Sequence, residues 1–394
     1  MSRLDELIQE YCPDGVEFKP IKEVYQRLKG TPITAAKMKE IENAEGDVRI
    51  FAGGKTVIDA FEEDIPKANI TRVPAVLVQS RGVIDAVYYE KPFTFKSEMW
   101  AYTHENKTAV KFLYYVLKNN MPKFREAASG MGSLPQISLK VTEDFEVPVP
   151  PLEVQGEIVR ILDNFTELTA ELTVELTARQ KQYEYYRNHL LTFDDTVKQV
   201  RLGDICSVIT KGTTPKNYTK TGISFIKTEA FDGTKIVPEK LSYVDEETHT
   251  TFLRRSILEE NDILVTIAGA TIGKCVIVPK EILPANTNQA LAIIRLEKGN
   301  SPKYVMYLLQ SDLMKRYMQK NIKGSAQPNL NLKQLNDFII PLPPLSIQER
   351  LVHVLDNFEA ICSDLNIGLP AEIGARQKQY EYYRDKLLNF EPAK

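Results

Sequence analysis

Cysteine and histidine are scarce, at four residues each in a chain of 394. Cys12, Cys206, Cys275 and Cys362 stand far apart, without the close pairing of a zinc site or the dense pattern of a disulfide framework. They read as ordinary core residues. His104, His189, His249 and His353 show no metal-ligand spacing either. No apolar run approaches the roughly 18 residues of a membrane span, and the N-terminal "MSRLDELIQEYC" is amphipathic and acidic where a signal peptide would be basic and then apolar. A cytoplasmic protein without membrane contact is expected. Catalytic signatures are also missing. "GATIGK" at residues 269–274 is one residue short of a phosphate loop and is followed by Cys275 instead of Ser or Thr, so it reads as a turn between two strands. The tetrapeptide of an amino-methyltransferase, Asn or Asp before Pro-Pro-aromatic, does not occur. A net charge of −3 and a pI near 6 give no overall basic excess, although a whole-chain sum hides any local basic face.

What the chain has is a repeat. "ARQKQYEYYR" occupies residues 178–187 and recurs unchanged at residues 375–384. Upstream, "PVPPLEVQGEIVRILDNF" at 148–165 matches "PLPPLSIQERLVHVLDNF" at 341–358. The fronts of the two copies diverge but remain parallel: "FKPIKEV" and "LKGTP" answer to "VRLGDI" and "TKGTTP", "AVLVQSRGVIDAVYY" to "DILVTIAGATIGKCVIV", and "KFLYYVL" to "KYVMYLL". Variable fronts and near-identical tails imply two versions of one task held by a common device.

Short runs rich in Val, Ile, Phe and Tyr, punctuated by Gly, Pro and Asn, make each front an α+β domain, with a helix at about 109–118 in the first and 302–319 in the second. The tails carry helical periodicity. In the first the apolar stripe runs through Ile161, Phe165, Leu168, Leu172, Leu176, Tyr183, Tyr186 and Leu190; in the second it runs through Leu351, Val354, Phe358, Ile361 and Leu365, breaks near Gly368, and resumes at Tyr380, Tyr383 and Leu387. Pro370 suits the first turn of a fresh helix, and Ser346 with Glu349 has the spacing of a capping box. The fold class is therefore α+β, with two similar globular domains separated by two long antiparallel helices and related by a pseudo-twofold axis. The expected segments are an N-terminal helical piece (1–13), a first domain (14–150), a central helix (151–193), a second domain (194–343) and a C-terminal helix (344–394). About 40 residues of helix would hold the domains about 60 Å apart.

The duplicated decapeptide, the Pro-Pro-Leu to Asp-Asn-Phe helix start and the tract "TELTAELTVELTA" at 166–178 together resemble the specificity subunit of type I restriction-modification systems, in its subgroup with short TAEL-type spacer repeats. The resemblance covers essentially the whole chain. It implies a non-catalytic subunit in which each front is a target recognition domain reading one half of a bipartite double-stranded DNA site. It further implies tails that set the spacer and dock two methyltransferase subunits. S-adenosylmethionine would belong to those partners, and ATP and Mg²⁺ to restriction subunits where present; this chain itself would bind no cofactor. A coiled-coil scaffold without DNA, or a stand-alone nuclease using an acidic cluster such as "FEEDIP", is the competing reading.

For DNA contact the useful residues are polar and basic ones beside glycine, where backbone can approach phosphate and side chains can reach base edges. In the first front these are Lys29, Thr31, Lys55, Gln79, Ser80, Arg81, Ser133 and Gln136. Arg81 leads them, because an Arg-to-guanine pair is the commonest specific contact. The second front offers Lys211, Thr213, Lys216, Lys227, Thr266, Thr271, Asn286, Asn288, Lys323, Ser325 and Gln327. In the tails Tyr183, Tyr186, Tyr380 and Tyr383 fall on the seam, whereas Arg179, Tyr185, Arg187, Arg376, Tyr382 and Arg384 fall off it and are the expected docking surface for a twice-used partner.

One added four-residue unit lengthens a helix by about 6 Å and turns its end by about 40° beyond a full turn. One base pair advances about 3.4 Å and turns about 36°. Because a wrongly facing groove loses all base contacts, inserting another "TAEL" should lengthen the unread DNA spacer by one base pair. Methylation mapping that returned an unchanged gap would refute this.

Overall fold

A computed structural model describes residues 3–53, 56–129, 135–269, 271–321, 329–363 and 367–393. By its internal contacts the chain divides into a first unit, Met1–Glu171 with Gly374–Lys394, and a second, Leu172–Ile373. The longer helices are α1 (Arg3–Tyr11), α2 (Lys107–Asn119), α3 (Leu152–Leu190), α4 (Pro302–Gln310), α5 (Asp312–Asn321), α6 (Leu345–Ser363) and α7 (Leu369–Leu387).

In the first unit the strands are β1 (Phe18–Pro20), β2 (Gln26–Leu28), β3 (Val48–Phe51), β4 (Val57–Ala60), β5 (Ala75–Gln79), β6 (Asp85–Tyr89), β7 (Phe93–Phe95), β8 (Met99–Thr103) and β9 (Glu146–Pro148). They form a four-stranded sheet in the order β2-β8-β5-β6, a three-stranded sheet β4-β3-β7 and the pair β1-β9. The central strand β5, "AVLVQ", is buried at every residue, which is why it reads as a continuous apolar run. Asn106 caps α2 by accepting from the Thr108 N–H, and the apolar face of α2 packs on β5 and β6.

The second unit repeats this plan. Its strands are β10 (Gln199–Arg201), β11 (Cys206–Lys211), β12 (Ile223–Ile226), β13 (Phe231–Asp232), β14 (Lys235–Ile236), β15 (Ser242–Val244), β16 (Ile263–Thr266), β17 (Cys275–Ile277), β18 (Ala285–Thr287), β19 (Leu291–Leu296) and β20 (Ile339–Pro341). The orders are β11-β19-β16-β17, β15-β12-β18 and β10-β20, with β13-β14 as an added ribbon. Directions match as well: β3 is antiparallel to β4 and parallel to β7, and β12 is antiparallel to β15 and parallel to β18. The parallel stretches read from sequence thus occupy equivalent places in one topology. "GATIGK" lies in the β16–β17 hairpin, with Gly269 and Gly273 at positive φ.

Each tail helix is pinned to its own front in the same way. In the first unit Asp163 of α3 receives the Tyr115 hydroxyl at 2.5 Å and the Lys111 ammonium at 2.7 Å. In the second, Asp356 of α6 receives Tyr307 at 2.6 Å and Lys303 at 2.5 Å. Burial, with Glu359 and Asp356 close by, drives the Tyr307 phenol far above its usual range, so it stays a donor. Each unit also takes in the decapeptide of the other repeat. Tyr383 stacks on Phe165 with centroids 5.6 Å apart in the first unit, and Tyr186 on Phe358 at 5.5 Å in the second. In the second unit Tyr186 meets Phe358, Tyr183 lies by Glu359 and Arg179 by Cys362, so the two helices run antiparallel there.

The two chain ends meet in the first unit. The Val16 N–H donates to the Glu391 carbonyl and the Ala393 N–H to the Val16 carbonyl, both at 2.9 Å. Gly15, at φ +99°, is required beside them, since a Cβ there would lie 2.7 Å from the Pro392 oxygen.

Three local expectations are corrected. The helix expected over 302–319 is two, because buried Ser311 is extended and bonds to the Leu308 carbonyl through its hydroxyl. Ser346 does not cap: α6 already begins at Leu345, with Pro344 accepting from the Ile347 and Gln348 N–H groups. A capping box forms instead at Asn331 and Gln334. In the second tail the inward positions are Leu355 and Cys362, each one residue beyond the expected Val354 and Ile361, which are 40% and 47% exposed. Leu365 lies outside the described residues.

Asp262 is fully buried and held by a two-pronged pair from Arg295, at 2.8 and 2.7 Å. Replacing Arg295 by Leu leaves that carboxylate unpaired, at a cost of about 3–5 kcal/mol. Urea unfolding followed by circular dichroism should show early loss of the second unit. Fluorescence of Trp100, which sits in the first, should keep its midpoint.

Candidate nucleic-acid interface

In the first unit the β5–β6 turn is laced to the segment before residue 138. The Gly82 N–H donates to the Pro135 carbonyl at 2.9 Å and the Ile137 N–H to the Ser80 carbonyl at 3.0 Å, and Arg81 bridges Gln136 through the backbone. The Ser80 hydroxyl reaches the Glu98 carbonyl at 2.5 Å. Burial raises the Glu98 carboxyl, but bonds from Lys96 and the Gly53 N–H outweigh it and hold the group below the ordinary carboxylate range. The 29–32 loop is tied to the same strand ends, because the Thr31 N–H donates to the Phe95 carbonyl and Gly30 passes so close that a Cβ would sit 2.1 Å from that oxygen.

The second unit assembles the equivalent loops. Thr213 N–H donates to the Thr287 carbonyl at 3.0 Å, Ile267 N–H to Ala290 at 2.9 Å and Leu330 N–H to Ile267 at 2.8 Å, while Ala268 bridges Asn329. Gly212 repeats the close approach of Gly30, with a built Cβ 2.2 Å from the Thr287 oxygen. Loops distant in sequence thus meet in each front, and they are the loops expected to carry DNA contacts.

Their residues divide by exposure. Lys29, Arg81, Gln136, Lys211 and Lys216 are exposed. Among the described residues no carboxylate pairs with Lys29, Arg81, Lys211 or Lys216, in contrast to Arg49, Arg72 and Arg295, whose acids are Asp59, Glu62, and Asp262 with Glu259. Thr213, Thr271 and Asn288 are half-buried, and the Asn288 carboxamide oxygen accepts from the Ala290 N–H within its own turn. Lys227, also half-buried, lies over the Tyr218 ring at 4.8 Å. The expectation fails for Thr31, Gln79, Ser80, Thr266 and Asn286, all of which are buried. For Thr31, Ser80 and Asn286 the physical reason is that polar side chains at the ends of buried strands are used to close the loops: Thr31 bonds Thr94 and the Asn69 N–H, Ser80 the Glu98 carbonyl, and Asn286 His249 at 2.6 Å and the Leu253 carbonyl. Lys55, Ser133, Lys323, Ser325 and Gln327 lie outside the described residues. Two residues on this face escaped the sequence reading, exposed Lys274 and the bridging residue Asn329. The available signal for Lys274 was its place directly after Gly273 in the hairpin.

The acidic "FEEDIP" stretch is a short 3-10 turn whose Glu62 pairs with Arg72. On the tails Tyr185 and Tyr382 are 64% and 63% exposed, and Arg179 is exposed beside Glu175 and Gln182. Arg376 and Arg384 are half-buried, Arg384 against the Tyr380 ring and Asp385. Arg187 is a correction: it is buried at 8% exposure with its guanidinium 5.3 Å from the Tyr183 ring centroid, so it is part of the packing and presents no docking surface. No helix among the described residues is long and apolar enough to cross a membrane.

The type I restriction modification DNA specificity domain family matches residues 13–179 and again 194–375. The chain belongs to that family. It is 30% identical to the type I restriction enzyme EcoR124I/EcoR124II specificity subunit of Escherichia coli over 99% of this chain and 97% of that one. It is 26% identical to the type I restriction enzyme MpnII specificity subunit of Mycoplasma pneumoniae over 68% and 95%. In fold it is similar to the type I restriction-modification S subunit from M. genitalium, with a TM-score of 0.56 and 17% identity over 95% and 96% of the two chains. A chain solved in work on complex assembly and conformational transition of the type I R-M system gives 0.60 at 17% identity over 96% and 98%. The double match of the family coincides with the twice-built loop face.

Replacing Lys211 and Lys274 together by Ala should weaken binding to duplex DNA irrespective of sequence and lower the salt slope by about two. Asn286→Ala should lower the melting temperature and leave that slope unchanged.

Proposed function

We propose that this chain is the DNA-specificity subunit of a type I restriction-modification complex. Each front reads one half of a bipartite, asymmetric site in double-stranded DNA. The helical tails fix the gap between the halves and dock two methyltransferase subunits, with restriction subunits joining where they are made. The chain contributes recognition and no bond-making chemistry: S-adenosylmethionine is bound by the methyltransferase, and ATP and Mg²⁺ by the restriction subunit. The setting is the cytoplasm, and the segments are those given above from the sequence.

The observation that carries this reading is one loop face built twice by one strand topology, with different side chains on it. A tethering scaffold would need the paired helices but has no use for two such faces. A face with Arg81 and Gln136 in one copy, and Lys211, Lys274 and Asn329 in the other, supports recognition of different bases by the same frame.

Genome-wide methylation mapping of cells carrying the chain with its methyltransferase tests it. The expected result is a split motif with a fixed gap, whose first or second half changes when the first or second front is exchanged. A contiguous motif, or halves that do not follow the fronts, would sink the proposal.

A further inference from the structure

The two fronts share a frame but differ in what one edge of it carries. In the second front the Ile226 carbonyl accepts from the Thr287 hydroxyl at 2.9 Å, and the Thr287 carbonyl accepts from the Thr213 N–H at 3.0 Å. Lys227, the next residue after Ile226, therefore lies among the joined loops. Its ammonium stands 4.8 Å from the centroid of the Tyr218 ring, which brings Tyr218 to the same edge. The loop that carries Tyr218 is tied at both ends, by the Thr213 bond and by the Thr219 N–H, which donates to the Tyr243 carbonyl at 2.9 Å. The ring also meets fully buried Phe225 in a T-shaped contact, with 5.4 Å between centroids.

The equivalent edge of the first front has no such pair. There the Phe95 carbonyl accepts from the Thr31 N–H, and β3 ends at Phe51 opposite Phe95 just as β12 ends at Ile226 opposite Thr287, so Ala52 stands where Lys227 does. Residues 32–47, between that tie and β3, contain no aromatic residue. A frame that closes in one front without the ring does not need it in the other.

What Tyr218 offers is a held ring with an uncommitted polar end. Phe225 and the Lys227 ammonium fix its position, so little side-chain freedom is lost on binding. It is 44% exposed, and its hydroxyl has no hydrogen-bond partner among the described residues. Burial, with the Glu229 carboxylate nearby, raises the phenol above its ordinary value, so the group stays neutral and can both donate and accept. Lys216 and Lys220 are exposed on the same loop. With Lys227 they set three ammonium groups against Glu229, an excess that suits a phosphate backbone.

We propose that Tyr218 is a base-reading residue for the second half of the site: its hydroxyl hydrogen-bonds a base edge in the groove, while the Lys227 ammonium meets a neighbouring phosphate. The first front has no counterpart, so this contact belongs to one half only. The inference rests on the function proposed above.

Methylation mapping of cells carrying the full complex, with equilibrium binding of that complex to duplexes varied through the second half-site, tests it. Tyr218→Phe removes one oxygen and keeps the ring. It should relax one base position in the second half, lowering discrimination there about tenfold, and leave the first half and the melting temperature unchanged. Lys227→Gln should weaken binding to every sequence alike and lower the salt slope by about one. A second half as strict in Tyr218→Phe as in wild type would overturn the inference and leave the proposed function standing. So would a uniform loss of affinity in Tyr218→Phe with no base relaxed, which would make the hydroxyl a phosphate contact, or a salt slope unmoved by Lys227→Gln. Absence of a split motif in wild type would overturn the proposed function and the inference together.

Discussion

Phe358 under Tyr186, and Phe165 under Tyr383, is the contact on which the architecture depends. In both stacks the phenylalanine comes from the Asp-Asn-Phe end of one repeat's helix start and the tyrosine from the other repeat's decapeptide. Neither repeat completes its own tail. The seam positions of the decapeptide are therefore constrained by packing in both copies, since each must fit a surface that is itself duplicated. Tyr183 with Arg187, and Tyr380 with Arg384, extend the fit by placing a guanidinium over a ring in both places.

That exchange frees the fronts to diverge. A front is joined to its helix through the Asp163 or Asp356 clasp and through the short β1-β9 or β10-β20 pair, contacts that do not involve the exposed loops. The loops are bound to one another by backbone hydrogen bonds, and glycine appears where backbones cross closely, at Gly30 and Gly212. Backbone scaffolding of this kind tolerates a change of side chain, as Arg81 against Ala268 at the matching bridge illustrates. Specificity can then vary while the frame stays constant.

The repeat, the α+β class, the strand-turn-strand elements and the long helix of the first tail were legible in the sequence, since each is written in local periodicity and in direct likeness between copies. The exposed basic residues Lys29, Arg81 and Lys211 were legible from local sequence as well: a lysine or arginine beside a glycine in a polar loop has few buried alternatives. Residue type alone could not separate Asn286 from Asn329. Both sit near Gly- and Lys-bearing loops, yet one is sealed against His249 and the other bridges a loop edge.

The sequence by itself determined that there are two copies of one design, that each front mixes strands with helix, and that a long helix follows the first front. It could do so because propensity and periodicity act over a few residues. Only the tertiary structure decided which copy's helix meets which decapeptide, that Arg187 is packed inside, and that Leu355 and not Val354 faces the core. Those outcomes depend on residues far apart in the chain competing for the same buried surface, and no local pattern records who wins.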